Sequence, residues 1–324
     1  DAWRARAALG AGELARRILD FPRSAALLRE ALEIQRELGD ADGIAWSLVY
    51  LAYTLGMAGD FEGARAPAEE SLALFRASGD QLGVARALNT LAEDARLRGD
   101  YGVAAAYYRE ALTIDRQLGD PHGSAIRLHN LGYVALHEGD VRQAVRAFRE
   151  SHQLHQALGY RSGPLSFLEG MAASASAAGG AEQAARLYGA WEANCRLPGT
   201  EFTLHPPDQR EYDRYVARAR DALGGQALAH AWESGRHLTL EQAIAEALAF
   251  AETLDQPARL TARERQVAAL AAHGLTNHQI ALKLDIAERT VDAHVAHILR
   301  KLALSSRRQL AARLTGSDPE PFAC

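Results

Sequence analysis

An all-α fold is predicted by three features of this 324-residue chain. Alanine, leucine and arginine dominate while aromatics make up only 7%, a mixture that favours helix over strand. Glycine recurs every 20 residues from Gly39 to Gly199, followed at the first six positions by aspartate. Near the C-terminus, capping signals and helical apolar spacing mark a small basic unit of its own. With 48% hydrophobic and 24% charged residues, the composition is that of an ordinary globular protein.

The glycines organise residues 1–198. A residue just past a helix's last turn often goes left-handed, which glycine tolerates best, so each 20-residue unit reads as one helix and one tight turn. Alternate units differ, which makes the true repeat 40 residues. Leu48, Leu88, Leu128 and Leu168 form one column, and Ala52, Ala92, Gly132 and Ala172 a small-residue column beside it. In the partner helices Ala64, Ala104, Ala144 and Ala184 align. Small residues facing large ones across two helices predict stacked hairpins, about five of them. No single hairpin can bury its apolar face alone, so the stack forms a solenoid.

Residues 199–256 are expected to cap this solenoid and link it onward. Pro206 and Pro207 interrupt the repeat, and a helix follows from about Asp208 to Leu223, stopped by Gly224 and Gly225. A second spans Gln226 to Ser234. Thr239 with Gln242 is a capping box opening a third that reaches about Leu254.

Residues 257–314 form the last structured unit, ahead of a tail at 315–324. Thr261 with Glu264 and Thr276 with Gln279 are capping boxes for two helices. A three-residue turn, Asp285 to Ala287, leads into a helix carrying Val291, Val295, Ile298 and Leu302. Two helices joined by so short a turn are a helix-turn-helix, whose second helix fits a DNA major groove. Charge agrees: residues 257–314 hold ten basic and four acidic groups, whereas residues 1–256 hold 26 basic and 35 acidic. A basic unit on an acidic body suggests a polyanion partner at one end only.

Several function classes are excluded or unsupported. The only lysines, Lys283 and Lys301, sit in no phosphate-binding glycine loop, so no P-loop lies within these residues. Cys195 and Cys324 make no disulfide framework and no C-x-x-C pair, which suits a reducing cytoplasm. His152 with His155, and His294 with His297, have helical i,i+3 spacing but lack the further ligands zinc requires. No metal, cofactor, nucleophile elbow or membrane span is expected. The chain opens at Asp1, already inside helical sequence, and reads as a piece of a longer protein.

Two family resemblances follow. The stretch "LHNLGYVALHEGDVRQAVRAFRESHQL" resembles the tetratricopeptide repeat, in a longer-helix variant of 40 residues. Residues 260–314 resemble the LuxR-type DNA-binding domain, block by block. Leu260, Thr261, Arg263, Glu264 and Val267 match its first block, and Gly274 to Asn277 with Ile280 and Ala281 its second. Thr290, Val291 and His294 form the third, and Ile298, Lys301, Leu302, Ser306 and Arg307 the fourth. The combination resembles the C-terminal portion of large ATP-binding LuxR-type bacterial regulators, which implies an ATPase upstream of these residues and none within them.

That resemblance implies a transcriptional regulator of double-stranded DNA, cytoplasmic and nucleoid-associated when bound. The helix from about Glu288 to Lys301 would be the recognition helix, with Asp292, Ala293, Ala296 and His297 facing bases. Thr276, Asn277, Arg289, Thr290, Arg300, Lys301 and Arg307 would reach phosphates. Asp292 stands where the family often has lysine, and Ala287 where a serine caps the recognition helix; the latter change alone costs about 1 kcal/mol. The solenoid is expected to bind a protein, peptide or effector through Trp46, Asn89 and His129, which occupy its variable columns, or to assemble copies of the chain. The rival reading is a repeat scaffold whose DNA-binding unit is vestigial.

Overall fold

The computed structural model describes residues 1–160, 163–196, 204, 206–255, 260–301, 306–307 and 309–311. Among them there are sixteen helices and no strand. Five hairpins come first: α1 (Ala2–Arg17) with α2 (Phe21–Leu38), α3 (Ala41–Met57) with α4 (Phe61–Ser78), α5 (Gln81–Arg98) with α6 (Tyr101–Leu118), α7 (Pro121–His137) with α8 (Val141–Ala157), and α9 (Gly163–Ala177) with α10 (Ala181–Cys195). Then follow α11 (Pro206–Leu223), α12 (Gly225–Arg236) and α13 (Leu240–Asp255). The last three are α14 (Ala262–Ala272), α15 (Asn277–Leu284) and α16 (Glu288–Lys301). Two compact units result, Asp1–Phe250 and Ala251–Cys324.

The Gly-Asp pair acts on both helices it joins. Gly39, Gly59, Gly79, Gly99, Gly119 and Gly139 all turn left-handed, with φ between 67 and 87°. The aspartate N–H then donates back into the finished helix, as Asp40 does to Gln35 O at 3.0 Å and Asp120 to Asp115 O at 2.8 Å. Except at Asp100, its carboxylate accepts from the third residue of the next helix, as Asp60 does from Gly63 N at 2.9 Å and Asp140 from Gln143 N at 2.9 Å. Sequence reading explained the glycine and overlooked this N-cap. The register also extends one turn earlier than glycine reveals: Leu19 occupies it at φ 61°, ahead of the capping Asp20.

Within the five hairpins the odd-numbered helices form the inner layer and the even ones the outer. Helices α5, α7 and α9 each bury residues on nearly every side, whereas α4, α6 and α8 bury one stripe. Leu48, Leu88, Leu128 and Leu168 are all buried, as are the partner-helix alanines. The small-residue column does what its pattern predicted: a Cβ on Gly132 would lie 2.5 Å from the Phe148 ring. Across the outer layer runs a 40-residue ladder of ion pairs that sequence reading missed: Arg36 to Glu70, Arg76 to Glu110 and Arg116 to Glu150, at 2.6–3.1 Å. Each is about half exposed, so the ladder sets register more than it stabilises.

The segment after the repeats does more than close the stack. Helix α12 packs on α10 so tightly that Gly189 faces the Trp232 carbonyl and Gly235 the Arg186 carbonyl. Helix α11 instead lies over the inner layer. Its Asp208 meets Arg96 of α5 at 3.0 Å, its Glu211 meets His137 of α7 at 2.8 Å, and the Tyr215 carbonyl accepts from Ser176 of α9 at 2.8 Å. The reason is electrostatic. The side chain of Arg96 is 2% exposed, and a buried cation without a counter-charge is costly. Nearby, Tyr133 donates to Glu169, whose carboxyl burial pushes well above its ordinary range.

In the second unit α14, α15 and α16 share a core of Val267, Ile280, Val291, Val295, Ile298 and Leu310. No described helix is long and apolar enough to cross a membrane.

Candidate nucleic-acid interface

Both capping boxes anticipated in this unit are present. Thr261 accepts from Glu264 N at 3.2 Å, and Glu264 accepts from Thr261 N at 2.7 Å. Thr276 and Gln279 exchange the same pair at 3.2 and 2.9 Å. The turn between α15 and α16 passes through Asp285 in the left-handed region, at φ 52°. Ala287 precedes α16, so no side chain there can accept a first-turn N–H; its carbonyl accepts from Thr290 and Val291.

The register of α16 separates its two faces. Val291, Val295 and Ile298 point into the core at 0–9% exposure, so Asp292, Ala293, Ala296 and His297 are left on the exposed face. Arg289 and Thr290 extend that face at the helix N-terminus, and Thr276 is exposed at the start of α15. A face of small and polar residues on a helix this long can enter a major groove and reach base edges.

Several expected phosphate contacts are already engaged within the domain. Lys301 donates to both carboxylate oxygens of Glu264, at 2.7 and 2.8 Å. That buried carboxylate also meets His297 Nδ1 at 3.0 Å. The Lys301 hydrogen bonds and the Thr261 N–H hold Glu264 down at about 2. Glu264 thus ties α14 to α16, a role invisible in its capping-box position. Arg307 donates to Asn277 Oδ1 at 2.5 Å and to the Leu275 carbonyl. Asn277 in turn donates to Asp292 at 2.5 Å. Arg263 donates to the Leu284 carbonyl at 2.8 Å, closing α14 onto the end of α15. The side chain of Arg300 lies outside the described residues.

On the solenoid, the three partner-facing expectations fall on the inner layer. Trp46 is half-buried, with its ring edge-on to Phe75 at 5.1 Å. Asn89 is buried, accepting from Arg127 at 3.1 Å and donating to Glu93 at 3.1 Å. His129 is half-buried against Tyr133 and Phe148, and burial pushes it down to about 4. His152 and His155 are buried, His152 stacked on Phe167; no metal-holding group of three His, Cys, Asp or Glu occurs among the described residues.

Comparison with known proteins matches this division. Residues 258–314 match the model for bacterial regulatory proteins of the luxR family, and residues 3–77 and 68–117 match that for the tetratricopeptide repeat. A Mycobacterium tuberculosis protein named as an HTH-type transcriptional regulator is 39% identical over 103 residues, 31% of this chain and 12% of that one. The nitrate/nitrite response regulator NarL of Escherichia coli is 51% identical over 53 residues, 16% of this chain and 24% of that one. The DNA-binding transcriptional activator DevR/DosR of Mycobacterium tuberculosis is 38% identical over 124 residues, 35% of this chain and 57% of that one. The chain therefore spans a small part of the first of these relatives and just over half of the last. A solved kinesin light chain structure with TPR-like repeats from Podosopora anserina superposes with TM-score 0.47 at 17% identity, over 60% of this chain and 98% of that one. Residues 258–314 are a helix-turn-helix domain of the luxR type, and tetratricopeptide repeats precede it in the chain.

Proposed function

We propose that this chain is a non-catalytic, sequence-specific regulator of transcription, acting on double-stranded DNA in the bacterial cytoplasm. The observation that carries this reading is α16, whose apolar stripe is buried while Asp292, Ala293, Ala296 and His297 stay exposed. Arg289, Thr290 and Thr276 flank that face and contact phosphates, which positions the helix without reading sequence. Arg300 joins them. Asn277, Lys301 and Arg307 hold the domain's frame through their present partners and reach phosphate with the N–H donors those bonds leave over. The solenoid binds the partner or effector whose presence is reported to the DNA, through the inner layer that carries Trp46, Asn89 and His129.

Titration of a fluorescent duplex with the 324-residue chain at several salt concentrations tests this. Affinity should fall steeply with salt as counterions leave the contacted phosphates. Arg289→Ala should weaken every duplex alike and flatten the slope. Undiminished binding by that variant, or no binding at low salt, would remove the interface.

A further inference from the structure

The inner layer of the first unit holds a chamber of about 230 Å³, lined by residues of α1, α3, α5 and α7. Three arginines, Arg16, Arg86 and Arg127, contribute to its walls, against one carboxylate, Glu93. Tyr50, Tyr53 and Ile126 supply the apolar part.

Repeat packing does not call for two of these arginines. Arg127 aligns with Ser47, Ala87 and Phe167, all buried, so the other hairpins fill its column without charge. Its guanidinium is nine-tenths buried. Nε faces Asp115 at 3.3 Å and one terminal nitrogen donates to Asn89 of the chamber wall at 3.1 Å. Burial lowers its pKa from the ordinary value against the opposing pull of Asp115, and the like charge of Arg86 adds to the lowering. Arg86 aligns with Trp46 and Ile126, is exposed, and its guanidinium makes no ion pair or hydrogen bond among the described residues. Arg16 is neutralised by Glu13 at 2.7 Å and lies over the Tyr53 ring, forming a wall rather than a free charge. Asp115 balances Arg127, so Arg86 is the wall arginine without a counter-charge among the described residues, and the wall opposite is aromatic. An anion beside Arg86 would supply its missing counter-charge and accept bidentate donation from that guanidinium, with Arg127 adding positive potential behind it, while a compact apolar body would meet the tyrosines.

We propose that this chamber binds a small organic anion, a carboxylate or phosphate group carried on a compact apolar body, as the effector of the solenoid. The anionic group sits beside Arg86 with Arg127 behind it, and the body packs against Tyr50, Tyr53 and Ile126. The volume lies just below the range of drug-sized sites, which suits a ligand of this size. The proposal rests on the reading of the solenoid as the ligand-binding half.

Titration calorimetry of the 324-residue chain with benzoate, phenyl phosphate, inorganic phosphate and neutral benzyl alcohol tests it. Benzoate or phenyl phosphate should bind once per chain, and whichever binds identifies the anionic group as carboxylate or phosphate. Arg86→Gln should weaken that binding at least tenfold without moving the melting temperature, because Arg86 supports no packing. Arg29→Gln, on the exposed side of α2, should leave it unchanged. No binding by either organic anion, equal binding by benzyl alcohol or by inorganic phosphate, or full affinity in Arg86→Gln would each overturn the proposal. DNA retardation by the same preparation is scored separately. A chain that binds DNA but neither organic anion loses the chamber and keeps the regulator reading.

Discussion

At the scale of single residues, charge is placed where the helices need it, and titration exposes that placement. His155 is buried and held down at about 4 by that burial, with neighbouring histidines adding to the effect. His129 is also held at about 4, from an ordinary 6.5. A histidine whose folded pKa lies below its unfolded one stabilises the fold above the unfolded value and loses that contribution as pH falls through the folded one. The first unit should therefore weaken between about pH 6.5 and pH 4, by on the order of 1–3 kcal/mol per histidine. Urea midpoints across that window check this, and His155→Phe should flatten the curve; an unchanged slope would mean the histidine is not held neutral. Asp292 gives a second prediction at this scale. Aspartate can accept from cytosine N4 but repels phosphate, so Asp292→Lys should change which duplex is preferred while total affinity holds or rises. Equal loss on every sequence would deny it a base-reading role.

At the scale of elements, most boundaries were legible because each is written in local chemistry. Gly-Asp pairs, Thr-x-x-Glu and Thr-x-x-Gln boxes and the Pro206-Pro207 break act within a few residues of where they stand. What sequence did not reveal is carried by long-range partners. Glu264 reads as a cap and is also the counter-ion of Lys301, 37 residues away. Helix α11 reads as an end cap, yet lies over the inner layer because Arg96 and His137 need its carboxylates. The Arg36–Glu70 ladder is invisible without knowing which even helices are neighbours. Two element-scale predictions follow from positions where the local chemistry is imperfect. Ala287→Ser should supply the missing cap of α16 and stabilise the second unit by about 1 kcal/mol. Leu19→Gly should relieve a left-handed leucine and stabilise the first unit by about 1 kcal/mol, the loss of a partly buried side chain offsetting little because Leu19 is 48% exposed. Thermal melts of each variant decide both, and a fall in melting temperature would show that the native turn is not strained as argued.

At the scale of the whole molecule, the sequence already separates an acidic repeat body from a basic C-terminal unit, and the structure divides the chain into two compact units at Phe250. The solenoid offers a lined chamber and a long inner layer, whereas the second unit offers one exposed helix face. Such a division suits the proposed function, in which the first unit senses and the second reads DNA. Sequence-specific reading is the central claim, and selection of bound duplexes from a random pool by the 324-residue chain tests it most directly. One short sequence should be enriched over successive rounds and should outcompete its scrambled counterpart at matched salt. A pool that stays random while still being retained would reduce the second unit to a basic surface, and a pool that is never retained would contradict the assignment altogether.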